Sequence, residues 1–163
     1  MNSNGPALLL AALLGLATLP ASADGGHGAH GAHAAKSQAA RSGQPGNATK
    51  VTRTIQVTLG DDMRFVPARI DVRAGETIRF ELRNTGQVDH EMVLGELDEL
   101  KAHARQMQST PGMSHSEPNQ VLLKPGQSGA LVWRFMRTGT VDFACTVPGH
   151  LEAGMVGQVR VTR

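Results

Sequence analysis

Residues 145–155 read CTVPGHLEAGM and carry three side chains that bind metal ions. Cys145, His150 and Met155 offer a thiolate, an imidazole and a thioether at the spacing C-x4-H-x4-M. Pro148-Gly149 is a turn signal between the first two of them. The stretch therefore predicts a loop between two strands that presents three metal ligands to one point.

The three donors match a mononuclear copper site. Such a site takes two imidazoles and one thiolate in a trigonal arrangement, with a weak thioether contact on the axis. The second imidazole must come from elsewhere, and His90 is the candidate because it begins a predicted strand after a Gly-bearing turn. Soft sulfur donors combined with imidazole hold both Cu(I) and Cu(II), so the set suits a one-electron couple.

The first residues predict export. Residues 7–19 form an apolar run, and Pro20 and Ala21-Ser22-Ala23 follow it as a small-x-small cleavage pattern. We predict a signal peptide over residues 1–23. The run is shorter than the roughly 20 residues of a membrane-spanning helix, so we expect no permanent membrane anchor.

Export makes the single cysteine informative, because secreted proteins usually pair their cysteines in disulfides. An unpaired Cys145 is a buried core residue, a partner for intermolecular pairing or a ligand protected by a metal. Its spacing to His150 and Met155 favours the ligand. The net charge of +2 is too small to indicate a nucleic-acid partner.

Residues 24–50 are rich in Gly, Ala, Ser, Gln and His, and we predict that they form a disordered tail. His27, His30 and His33 are spaced three apart in it and form a flexible cluster suited to Cu(II), Ni(II) or Zn(II). The alternative is a low-complexity repeat without a role.

Residues 51–163 predict one all-β domain. Short segments rich in β-branched residues alternate with Gly, Pro and Asn turn signals, which is typical of an antiparallel sandwich or barrel. The predicted strands cover 52–59, 64–66, 69–72, 77–84, 90–94, 120–123, 129–135, 140–144 and 156–161.

One segment between strands, Glu96 to Gln108, has helical periodicity and predicts a short helical insert. His103 and Met107 lie four apart on one face of it, and Met113 and His115 follow in a loop. These four residues suit an additional Cu(I) site. The alternative, which we favour, is that Met107 packs in the core while the histidines are merely exposed.

With these motifs in place, residues 52–162 resemble the cupredoxins, the plastocyanin and azurin family. The layout from His90-Glu91-Met92 to Phe143-Ala144-Cys145 and residues 145–155 is most similar to bacterial periplasmic cupredoxins associated with copper tolerance. The resemblance implies a Greek-key β-sandwich, a periplasmic location, and type 1 copper bound by His90, Cys145, His150 and, axially, Met155.

One residue departs from the family pattern. Many cupredoxins have Asn after the first histidine ligand, where it ties the two ligand segments together, and this chain has Glu91. We predict that Glu91 or its backbone N–H takes over that task, with Thr146 as its partner. An exposed carboxylate without a role is the alternative.

Two functions fit these residues. The first is a copper-handling factor that cycles Cu(II) and Cu(I) and contributes to copper tolerance, with the surplus histidines and methionines as capture sites. The second is a soluble electron shuttle that docks on a redox partner near His150 through Pro148, Leu151, Ala153 and Met155. We expect a monomer in either case. We expect no enzyme, because copper oxidases and nitrite reductases resemble fused cupredoxin domains and a filled type 1 site lacks an open position.

Overall fold

The computed structural model describes residues 43–109 and 117–163. These residues form ten strands, one α-helix and a 3-10 turn at Ala48–Lys50. The strands are β1 (Gln44–Pro45), β2 (Arg53–Gly60), β3 (Arg64–Val66), β4 (Arg69–Arg73), β5 (Thr77–Asn84), β6 (His90–Gly95), β7 (Gln120–Leu123), β8 (Ser128–Arg134), β9 (Gly139–Ala144) and β10 (Val156–Thr162), and the helix is α1 (Leu97–Ser109).

The strands form two five-stranded sheets, in the orders β1-β8-β5-β2-β3 and β4-β10-β9-β6-β7. The predicted all-β sandwich with a short helix is therefore confirmed. Two neighbouring pairs, β2 with β5 and β4 with β10, run parallel, unlike the antiparallel pairing predicted. They are parallel because the chain crosses to the other sheet before it returns, as β4 does between β3 and β5.

The core lies between the two sheets and follows the alternation of the strands. Ile78, Phe80 and Leu82 face inward from β5, and Phe143 faces inward from β9 with its ring edge-on to Phe65 at a centroid distance of 5.0 Å. Aromatic pairs in this arrangement add to the free energy gained by burial. This packing fixes the ends of β6 and β9, where the metal ligands lie.

The chain joins the sheet earlier than the sequence predicts. Gln44 and Pro45 pair with Arg134 and Trp133 of β8, so residues 43–50 belong to the folded domain and not to a disordered tail. A strand of two residues, one of them a proline, is too short a signal for periodicity to detect. The rest of the predicted tail and the predicted signal peptide lie outside the described residues.

Helix α1 begins and ends within one residue of the predicted insert. Its buried Leu100 packs with Val93, Ala144 and the partly buried Leu151 of the ligand loop. The carboxylate of Asp142 accepts a hydrogen bond from the first backbone N–H of the helix, at 3.2 Å. This tertiary contact caps the helix, as an anion at a helix N-terminus does.

In the parts of the chain described, no helix combines the length and the apolar character needed to cross a membrane.

Candidate metal centre

Three predicted ligands meet at one end of the sandwich. His90 is the first residue of β6, Cys145 follows the last residue of β9, and His150 lies in the loop between β9 and β10. One donor atom from each lies within 4.8 Å of the other two. Strands β6 and β9 are neighbours in the sheet, so pairing brings His90 next to Cys145 although 54 intervening residues separate them in sequence.

Backbone hydrogen bonds hold the ligand loop, residues 145–155, in a closed form. The N–H of Cys145 donates to the carbonyl of Met155 at 3.1 Å, and the N–H of Met155 donates to the carbonyl of His150 at 3.0 Å. Gly149 and Gly154 have positive φ, at 87° and 92°, so both turns of the loop use conformations that glycine adopts readily. These hydrogen bonds and turns therefore fix the spacing of the donors in the loop.

His90 has a defined tautomer. Its Nε2 lies 3.0 Å from Oδ1 of Asp61, in the turn that follows β2. A carboxylate only accepts hydrogen bonds, so the imidazole proton is on Nε2 and Nδ1 has a free lone pair. Nδ1 is buried and has no hydrogen-bond partner among the described residues. A buried nitrogen without a partner is costly unless a metal binds it.

Sequence reasoning missed the contact of Asp61 with His90, since Gly60-Asp61-Asp62 indicates only a turn. Its Oδ2 accepts a hydrogen bond from the N–H of Gln87 at 2.7 Å. That bond, followed by the one to His90, lowers the pKa of the Asp61 carboxyl below its ordinary value. The carboxylate form is therefore the one that faces His90 at neutral pH.

Cys145 is fully buried. Its Sγ accepts a hydrogen bond from the N–H of Glu91 at 3.3 Å and lies 3.3 Å from Nδ1 of His150. Burial is the main cause that raises the pKa of the thiol to about 12, so the metal-free protein holds a protonated thiol. The N–H of Glu91 is a donor of the kind that tunes a thiolate bound to copper.

Glu91 and Thr146 lie next to His90 and Cys145 in sequence, and they are joined as predicted. The Thr146 hydroxyl donates to Oε2 of Glu91 at 2.5 Å, and both residues are buried. Glu91 is therefore not an exposed carboxylate without a role. It ties the two ligand segments through its side chain and through its backbone N–H.

His150 lies at the surface edge of the site, whereas His90 is fully buried. The two imidazole rings lie 4.9 Å apart between centroids. Desolvation, with a smaller contribution from His90, lowers the pKa of His150 and favours the neutral imidazole that binds metals. Met155 is fully buried at the loop end, so it cannot be part of the predicted docking surface.

Of the residues in the predicted additional sites, the structure describes only His103 and Met107. His103 and Met107 are both half-buried on α1. Met113 and His115 lie outside the described residues, as do His27, His30 and His33. Within residues 43–109 and 117–163, the one cluster of three or more His, Cys, Asp or Glu donors is His90, Cys145 and His150.

The donor set fits copper. Two imidazole nitrogens and one thiolate sulfur converge within bonding reach of a single ion, one of the nitrogens is buried without a partner, and a buried thioether closes the same loop. This set is characteristic of a type 1 copper site.

The comparison with known families agrees with the site. The family model described as copper binding proteins, plastocyanin/azurin family, matches residues 51–162. The chain belongs to this family of copper-binding proteins, and His90, Cys145, His150 and Met155 can form its type 1 copper site.

Among individual proteins, the chain is similar to the copper-resistant cuproprotein CopI of Rubrivivax gelatinosus, with 49% identity over 159 residues that cover 96% of this chain and 95% of that protein. It is 39% identical to the copper-resistant cuproprotein CopI of Pseudomonas aeruginosa, over 70% of this chain and 78% of that protein.

Solved structures agree with the fold. Auracyanin B is 27% identical and superposes with a TM-score of 0.59, over 69% of this chain and 91% of its own. The reduced auracyanin of Roseiflexus castenholzii is 24% identical with a TM-score of 0.60, over 69% of this chain and 99% of its own, which supports the fold alone.

Proposed function

We propose that the protein is an exported, periplasmic copper-handling factor that contributes to copper tolerance. The observation that carries this proposal is a donor set suited to type 1 copper in a chain 49% identical, over nearly its full length, to a copper-resistant cuproprotein. Bound copper supplies a one-electron Cu(II)/Cu(I) couple.

The residues around the site serve this role by keeping it rigid and dry. The buried Cys145 and His90 exclude water from the inner side of the site, and the closed ligand loop limits movement of the donors. Four donors leave no open position for a substrate, so the proposal includes no enzymatic activity. Among the four ligand residues, His150 is the one that is partly exposed.

The partial exposure of His150 favours a second candidate, a soluble electron shuttle. Pro148 and Ala153 are exposed beside it, and Leu151 is half-buried. Such a rim of apolar residues around an accessible ligand suits brief docking by a redox partner. In this alternative the protein acts as a monomer that exchanges electrons through the His150 edge.

Complementation tests the first proposal. Bacteria that lack their own copper-resistance cuproprotein would receive the full-length chain, Cys145→Ser, His150→Ala or the control Thr138→Ala, which changes an exposed residue outside the ligand loop. Growth would be measured against copper concentration. The intact chain and Thr138→Ala are expected to restore growth, and the two ligand variants are not. Restoration by Cys145→Ser would overturn the proposal, and fractionation of the same cells tests the location.

A charge at the docking rim separates the two candidates. Pro148→Glu places a carboxylate beside His150, whereas Thr140→Glu adds the same charge at an exposed strand position outside the ligand loop. A copper-handling factor retains tolerance in both variants. If tolerance depends instead on electron exchange with a docked partner, as in the shuttle candidate, Pro148→Glu alone loses it.

Deletion of residues 24–42 tests the predicted capture role of the histidine tail. The deletion stops at residue 42 because Gln44–Pro45 belong to the sheet. Fewer copper ions per chain and lower tolerance are expected, and unchanged values for both would show that the tail has no such role.

A further inference from the structure

Asp61 connects two segments beside the copper site, the turn after β2 and the stretch from Gln87 to His90 that leads into β6. It lies in the turn between β2 and β3, which belong to the sheet that does not contain His90. Its two carboxylate oxygens bind different partners. Oδ1 lies 3.0 Å from Nε2 of His90, and Oδ2 lies 2.7 Å from the N–H of Gln87. The side chain of Asp61 is therefore held in place independently of His90.

The contact between Asp61 and His90 depends on the absence of a side chain at Gly86. A Cβ built at Gly86 would overlap Oδ1 of Asp61 and would lie 3.1 Å from Nε2 of His90. Glycine at position 86 thus allows the carboxylate to reach the imidazole. The turn that contains Gly86 is held in place, because the N–H of Gly86 donates to the side chain of Asn84 at 2.8 Å.

The contact has two chemical consequences for His90. It keeps the proton on Nε2, which directs the lone pair of the buried Nδ1 to the site. It also places a negative charge beside Nε2, on the edge of the ring opposite the metal-binding Nδ1. From there the carboxylate interacts electrostatically with the charge of the metal ion. A negative charge at that position stabilises the more positive oxidation state.

We propose that Asp61 is a positioning residue of the copper site, which fixes the tautomer of His90 and favours Cu(II) over Cu(I). The inference rests on the copper site that the proposed function uses. The side chain of Asp61 is 40% exposed, so solvent screens its charge and the effect on the oxidation state is moderate.

The test compares Asp61→Asn with Asp62→Asn in the purified copper-loaded protein. Both variants remove one negative charge from the same turn, but the Asp62 carboxylate is not hydrogen-bonded to His90. Asp61→Asn is expected to raise the ratio of Cu(I) to Cu(II) affinity by about tenfold, which corresponds to a rise of about 59 mV in the reduction potential. Asp62→Asn is expected to change it by much less. Equal shifts in the two variants would overturn the effect on the oxidation state.

The metal-free protein provides an independent measurement. Nitrogen chemical shifts of the His90 ring report the tautomer, and we expect the Nε2–H form in the wild type and a mixture of both forms in Asp61→Ala. An unchanged tautomer in Asp61→Ala, checked for a native fold by circular dichroism, would overturn the positioning role. This measurement needs no copper, so it tests the role of Asp61 independently of the copper site. Absence of a thiolate-to-copper band in the wild type would refute the copper function and leave this test of Asp61 in place.

Discussion

The hydroxyl of Thr146 donates to the buried carboxylate of Glu91 at 2.5 Å, and each residue directly follows a copper ligand. This hydrogen bond joins the start of β6 to the ligand loop, in addition to the bond from the Glu91 N–H to the Cys145 sulfur. These two hydrogen bonds connect the ligand segments in addition to the pairing of β6 with β9.

We predict that the Glu91–Thr146 bond stabilises the metal-free fold. Glu91→Ala leaves the Thr146 hydroxyl buried without this partner and should lower the free energy of unfolding by about 2 kcal/mol. Urea unfolding of Glu91→Ala, Thr146→Ala and the double variant measures the coupling, expected at about 1 kcal/mol or more. Exposed Glu81→Ala serves as the control, and additive single-variant effects would contradict the prediction.

Cys145→Ser should abolish the intense thiolate-to-copper absorption band of the Cu(II) protein, because a serine hydroxyl does not provide the sulfur donor of a type 1 site. His103→Ala, which changes a histidine outside the cluster, should leave the band intact. The visible spectrum of each purified protein checks this. A band of unchanged intensity in Cys145→Ser would refute the ligand assignment.

Gly86→Ala should reproduce the effect of Asp61→Asn, since the added Cβ overlaps the Asp61 carboxylate and must displace it. The φ angle of Gly86 is not positive, so strain of the backbone does not explain the change. We expect the reduction potential to rise in Gly86→Ala and the double variant with Asp61→Asn to shift by less than the sum. Additive shifts would show that the two residues act separately.

Burial should protect the Cys145 thiol in the metal-free protein. The side chain is fully buried, so a water-soluble thiol reagent should label the folded protein at least about tenfold more slowly than the protein in denaturant. The colour released by the reagent over time measures the rate. Equal rates in buffer and in denaturant would contradict the burial of the sulfur.

Much of the fold could be predicted because it follows from local patterns. The alternation of Ile78, Phe80 and Leu82 predicts strand β5, and the spacing of Leu97, Leu100 and Ala104 predicts helix α1, each with nearly the observed bounds. The sequence gives less information about which strands pair with each other. The parallel pairs β2–β5 and β4–β10, and the pairing of Gln44–Pro45 with β8, depend on where the chain crosses between sheets.

The metal centre also has a part that can be predicted from sequence and a part that cannot. Cys145, His150 and Met155 are predicted from one loop because a short loop keeps its donors at fixed spacing, and the sequence by itself therefore determined the chemistry of this metal centre. The presence of a single cysteine in an exported chain favoured a metal ligand at Cys145. The predicted strand that begins at His90 indicated this residue as the second imidazole.

Only the tertiary structure decided how His90 is held. Asp61 is 29 residues from His90 in sequence and in a different sheet, and nothing in the turn Gly60-Asp61-Asp62 distinguishes it from an ordinary solvent-exposed turn. The structure likewise placed Met155 in the interior and Asp142 at the start of α1. These contacts arise from packing between segments distant in sequence, and side-chain spacing along one segment carries no information about them.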